Sequence, residues 1–296
     1  MQRTLMADSV TNHICIFCEA TPTPLLKAWE PSKYAPADEL TAIPESPLFS
    51  PRPEFYTILG NHRCSEYTFE LLSDMRDLTD LFVARHAGPD AIIDVETAED
   101  GILADISLQD YVTKIAEIRS RLVAMPAASI PGLPTTNDWL YESCRLAAII
   151  YAGALLMRVP FSVAADPTRN PILFDAAALP GSLIGDHLYL NRLTEPLFEA
   201  LKRSDLTSVW GDLSGVLYWV ALVGAVAARI PETIHMAQAP KSASEARAVW
   251  IRRWLVMNST RPLIYLVFQH PTPIIMAQKK LLRVQELISS SSSIQI

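Results

Sequence analysis

Glycine is scarce in this sequence: 10 glycines stand beside 22 prolines in 296 residues. A β-sandwich or a series of βαβ units needs turn glycines at short, regular intervals, so this scarcity, combined with long apolar runs at helical spacing, favours helices over either. Cysteine is also sparse. Cys15, Cys18, Cys64 and Cys144 are too few and too scattered for a disulfide framework. Met1 to Ser9 carries Arg3 and Asp8 and lacks the apolar core of a secretory signal. Reduced thiols in the cytosol or nucleus are therefore expected. Basic residues are outnumbered, 25 Lys and Arg against 32 Asp and Glu, for a net charge of −7. Such a balance does not supply the lysine and arginine surface that phosphate contacts require, and no direct nucleic-acid contact is expected. The nucleophile-elbow, zincin, P-loop and dinucleotide patterns are all absent from the sequence, which removes the common hydrolase, protease, nucleotide-hydrolysing and dehydrogenase readings.

What is present is apolar. Half the residues are hydrophobic (50%) and 19% are charged, enough for a sizeable core and too greasy for a disordered chain. The central stretch is Asn137 to Pro160, NDWLYESCRLAAIIYAGALLMRVP. Asn137 or Asp138 can cap its start. Glu142 and Arg145 stay polar in the early turns, and Leu146 to Met157 carries no charge, so the spacing predicts a central helix covered on most sides by others. Cys144 packs there as a small hydrophobe. A second charge-free run, Leu213 to Ala228, is shorter than the ~20 residues that cross a bilayer and reads as a buried helix; no membrane association is expected.

Around these runs the periodicity predicts further helices. Ser65 caps one that runs to the Gly88-Pro89 stop, and Ser107 with Asp110 opens another by a capping box. Leu183 to Lys202 forms a helix interrupted near Pro196. Ser242 or Ser244 starts a helix that places Ala246, Val249, Trp250, Trp254 and Leu255 on one face and Arg247, Arg252 and Arg253 on a wet one, until Asn258 to Pro262 breaks it. Leu263 to Phe268 is then a separate short piece, and Pro273 to Ser289 the last helix. The fold class is all-α: a single domain of about seven to nine helices over 54–288, at ordinary helix and loop lengths. A proline-rich irregular arm (1–53) precedes it and a serine-rich tail (289–296) follows.

Several constellations suggest chemistry. His13, Cys15 and Cys18 offer zinc-type ligands but no fourth, so no metal site is expected. Asp74, Asp77 and Asp80 share one helix face, which reads as solvated. Glu232 and His235 match half of a di-iron motif whose second half is missing. No catalytic residue and no cofactor are indicated. Trp139, Tyr151, Trp210, Trp219, Trp250 and Trp254 are the aromatic candidates for a pocket or for core.

Three phrases carry a resemblance. SPLFSPRPEFYTI (46–58), CSEYTFELLSDMRDLTDLFV (64–83) and NDWLYESCRLAAIIYA (137–152), with the later GVLYWVALVGAVAAR and AVWIRRWL, resemble the regulatory region of fungal zinc-cluster transcription factors. W-x-x-x-x-C-R-L-A-A is the most distinctive phrase, and the resemblance spans roughly Ile43 to Leu287, read by pattern. It implies a helical regulatory domain in the nucleus that acts on transcription by binding protein partners or itself, with a small apolar effector as a further candidate. The family's separate DNA-reading module needs six cysteines, which four scattered ones cannot supply. The alternative from another class is a helical-bundle enzyme or carrier, whose apolar pocket would be lined by Trp219 and Trp250.

Overall fold

A computed structural model describes His13 and residues 43–86, 107–178, 191–206, 209–229 and 242–292. Among these residues there are nine α-helices and no strand: α1 (Glu66–His86), α2 (Leu108–Ala124), α3 (Trp139–Met157), α4 (Phe161–Ala164), α5 (Pro171–Ala178), α6 (Thr194–Arg203), α7 (Ser214–Ala227), α8 (Ala243–Gln269) and α9 (Pro271–Ser292). The fold is all-α, as its periodicity indicates. The expectations for the arm before Ile43, for the Gly88-Pro89 stop and for Glu232 and His235 lie outside the described residues, as do those for Cys15 and Cys18.

Helix starts follow the predicted caps. The Ser65 hydroxyl accepts from the Thr68 amide, Ser107 from Asp110, Asp138 from Tyr141 and Ser242 from Glu245. Each side chain satisfies a first-turn N–H that has no partner inside its helix. At its other end α3 stops because Arg158 turns left-handed at φ 52, before Pro160 is reached.

The middle of the domain is α3. Every residue from Leu140 to Leu155 is buried, because α1, α6, α4, α5, α7 and α9 all pack on it. It is long and apolar enough to cross a membrane, and 89% of that apolar window is buried inside the fold. Close approach is set by small residues. A Cβ on Gly153 would lie 2.5 Å from the Asn170 amide nitrogen, and one on Gly215 of α7 would lie 2.6 Å from the Glu45 carbonyl oxygen. The Glu45 carboxylate is itself buried and accepts from the amides of Tyr56, Thr57 and Ile58, so the 43–60 segment wraps around one side chain.

Four expectations are corrected. Glu142 and Arg145 do not mark a polar side of α3: they are 3% and 0% exposed and paired with each other. Pro196 does not interrupt a helix; it stands in the first turn of α6, where its missing N–H costs nothing. Asn258 to Pro262 does not break α8, and Leu263 to Phe268 is its continuation. There Asn258 and Thr260 turn their side chains back onto the carbonyls of Trp254 and Val256, satisfying their polar groups inside the helix. Finally, the aspartates of α1 are not simply solvated. Asp74 holds Arg121 of α2 in a two-point pair at 2.6 and 2.9 Å, and Asp80 pairs with Lys280 of α9. They fasten neighbouring helices to α1.

Candidate functional site

Between the first turn of α3 and α6 lies an open cleft of about 360 Å³. Trp139 and Glu142 line it from α3, Glu195, Glu199 and Arg203 from α6, and Arg247 reaches in from α8. Helical geometry places these groups. Glu195, Glu199 and Arg203 recur at intervals of four and lie one above the other on α6, and Trp139 and Glu142 are one turn apart on α3.

The charges of the cleft are matched internally. At its inner end the Glu142 carboxylate accepts from Arg145 Nε at 2.9 Å and Nη2 at 2.8 Å, and from the Ala128 amide at 3.0 Å. At its rim Arg247 pairs with Glu195 and with Glu199. Arg203 lies over the Trp139 ring, 4.5 Å from its centroid, a cation–π contact. The described lining includes no histidine, cysteine or lysine. Such a set of paired carboxylates and guanidiniums can recognise a polar surface, but it presents no activated nucleophile.

The six aromatic candidates fall into different places. Trp139 alone lines the cleft. Tyr151 and Trp219 are fully buried and meet edge-on, with ring centroids 5.8 Å apart, and the Tyr151 hydroxyl bonds Thr79 at 2.9 Å. Trp210 is buried and donates its indole N–H to Ser204. Trp250 and Trp254 both stand edge-on to Phe198, and Trp250 is 50% exposed. Trp219 is therefore core and Trp250 surface, and neither lines the cleft.

Sequence reasoning missed the Glu142–Arg145 pair, because an acid and a base at i and i+3 carry the same spacing as an ordinary surface ion pair. It also missed the inward turn of α8. Ile251, Leu255, Leu263 and Leu266 are buried, whereas Ala246 and Trp250 are exposed. Arg247, read as wet, is half exposed but tied to α6.

Among the described residues no group of His, Cys, Asp and Glu converges to hold a metal. His13 is 5% exposed and lies between the Tyr218 hydroxyl and the Thr260 hydroxyl, each at 3.2 Å. Burial pushes the Cys64 thiol up to about 12 and holds the Cys144 thiol well above its ordinary range, so both are protonated at neutral pH. No protein-family model matches the chain, and no curated protein or solved structure is significantly similar to it.

Proposed function

We propose that this chain is a regulatory, partner-binding helical domain of the fungal zinc-cluster type, acting on transcription in the nucleus without touching DNA itself. One observation supports the reading. The α1, α3 and α7 phrases on which the resemblance rests pack together: the α1 and α7 phrases both lie on the α3 phrase, and Gly215 of the α7 phrase meets Glu45 beside the 46–58 segment, while residues 51–54 and Trp250 stay exposed. A family likeness confined to surface loops would carry less weight, because core phrases fix a fold and its packing together. The domain would act by holding a partner's segment or a second copy of itself, and a small apolar molecule could tune that contact.

The test is to tether the full chain to a heterologous DNA-binding domain in a fungal host and read a reporter. A several-fold change in transcription, up or down, with nuclear accumulation of the tagged chain, is expected. A fusion whose output equals that of the DNA-binding domain alone, or a chain excluded from the nucleus, would overturn the reading.

A further inference from the structure

Helix α8 carries two apolar stripes. The first, through Ile251, Leu255, Leu263 and Leu266, is buried. The second faces out: Trp250 is 50% exposed, Met257 62%, Ile264 49%, Tyr265 57% and Phe268 50%. Single exposed apolar side chains are ordinary, but a contiguous stripe along one helix marks a contact surface. Trp250, Trp254, Met257, Arg261, Ile264 and Phe268 follow one another at alternating steps of four and three residues, the spacing into which a second helix packs. From Trp250 to Phe268 the stripe runs about 27 Å at helical rise. Side chains of this size carry roughly 150–250 Å² each, so five of them half exposed offer on the order of 500 Å². Counted over both partners that is about 1,000 Å², where specific interfaces begin.

Charge selects the occupant. Every charged side chain from Ala246 to Gln285 is lysine or arginine, in a chain whose net charge is −7. Arg253 and Arg261 are exposed on α8, and among the described residues neither has an ion-pair partner. A second copy of α8 would bring the same arginines, and its one carboxylate, Glu245, lies in the capped first turn, before the stripe begins at Trp250. A nucleic acid or an anionic bilayer would meet a negatively charged molecule, whose described outer α8 face sets Arg253 and Arg261 among aromatic and aliphatic side chains. A helix with an apolar stripe flanked by carboxylates satisfies both features at once.

We infer that the outer face of α8 docks an acidic amphipathic helix, its apolar side chains seated between Trp250 and Phe268 and its carboxylates on Arg253 and Arg261. This names the partner's chemistry for the regulatory reading above and rests on that reading for its biological meaning.

The probe is a synthetic helical peptide of about three heptads, with leucine and phenylalanine at a and d and glutamate at the flanks. Its controls are the same peptide with lysine for glutamate and an acidic peptide of scrambled order. Titrated into the full chain at low salt, the acidic helix is expected to bind at least about tenfold tighter than either control, and to weaken as salt rises. R253E/R261E should lose about tenfold for the acidic peptide and gain affinity for the lysine one. Ile264→Asp should weaken binding of either peptide. All three positions are exposed, so circular dichroism should stay unchanged. Equal binding of the acidic and lysine peptides, or an unaltered R253E/R261E, overturns the inference. So does a chain that ignores the peptide but binds anionic vesicles or duplex DNA, or that dimerises through α8 and loses the dimer in Ile264→Asp. The titration involves no reporter, so a failed titration and a silent tether are separate results.

Discussion

Glu142 and Arg145, one turn apart on α3, hold each other in a two-point pair at the buried inner end of the cleft, at 2.8 and 2.9 Å. Removing one partner strands the other's charge where water cannot reach it, which costs about 3–5 kcal/mol. Arg145→Met should therefore lower the urea midpoint sharply. The double variant Glu142→Leu/Arg145→Met removes both charges together, at the cost of the Ala128 amide's acceptor, so it should be more stable than Arg145→Met alone. Additive losses across this cycle would show that the two residues act independently.

Gly153 and Asn170 form a second coupled pair. The Asn170 amide donates to the carbonyls of Ile149 and Ala164 at 3.0 and 2.8 Å, and its Oδ1 accepts from Ile172 at 3.0 Å. It sits where a Cβ on Gly153 would be, 2.5 Å away. Alanine is the better helix former by about 1 kcal/mol, yet Gly153→Ala must displace an amide that satisfies three backbone groups. We expect a net destabilisation of about 1–3 kcal/mol in chemical denaturation. A stabilised Gly153→Ala would mean that Asn170 moves freely.

The two described thiols, Cys64 and Cys144, predict a labelling pattern. Cys144 is fully buried, and burial pushes the Cys64 thiol up to about 12. The thiolate is the reactive species, and at pH 8 almost none is present at either position. Iodoacetamide should modify both residues slowly in the native protein and fast in denaturant, read by peptide mass spectrometry. Rapid native labelling of Cys144 would contradict its place in the α3 core.

These pairs show what the sequence makes legible and what it hides. Caps were legible, because Ser65, Ser107, Asp138 and Ser242 act on neighbours within three residues. The burial of α3 was legible because an all-apolar helix has one stable environment. The buried pair was not, since Glu142 and Arg145 have the same spacing as a surface ion pair and only the surrounding helices remove water from them. In α8 periodicity gives two candidate stripes. The one holding Asn258 and Ser259 looks too polar for the inside, yet both residues are buried, with their side chains bonded to carbonyls of their own helix. That local compensation also hid the continuity of α8 through Pro262. The cleft joins side chains from α3, α6 and α8 that are distant in sequence, so no local pattern announces it.

His13 provides the pH dependence. The Thr260 hydroxyl proton is committed to the Val256 carbonyl at 2.8 Å, so His13 Nε2 must donate to Thr260. The Tyr218 hydroxyl accepts from Gln278 at 2.9 Å and is left to donate to His13 Nδ1. Both ring nitrogens are therefore used by the neutral imidazole, and burial lowers its pKa from 6.5 to about 4. A depressed histidine pKa means that the unfolded chain takes up a proton that the folded one refuses, so stability falls as pH falls. The His13 contribution is complete above pH 6.5, declines through the window down to about 4 and is lost below it. At about 1.4 kcal/mol per unit, its full size is on the order of 3 kcal/mol. His86 and His270 are lowered by burial as well and add a slope of the same sign. His13→Phe should be less stable than wild type at pH 7.5, having lost the hydrogen bonds. Its unfolding midpoint should then change less between pH 7 and 4.5, leaving only the slope of the other groups. An equal pH slope in wild type and His13→Phe, measured by urea titration at a series of pH values, would show that His13 is not buried against Tyr218 and Thr260 in solution.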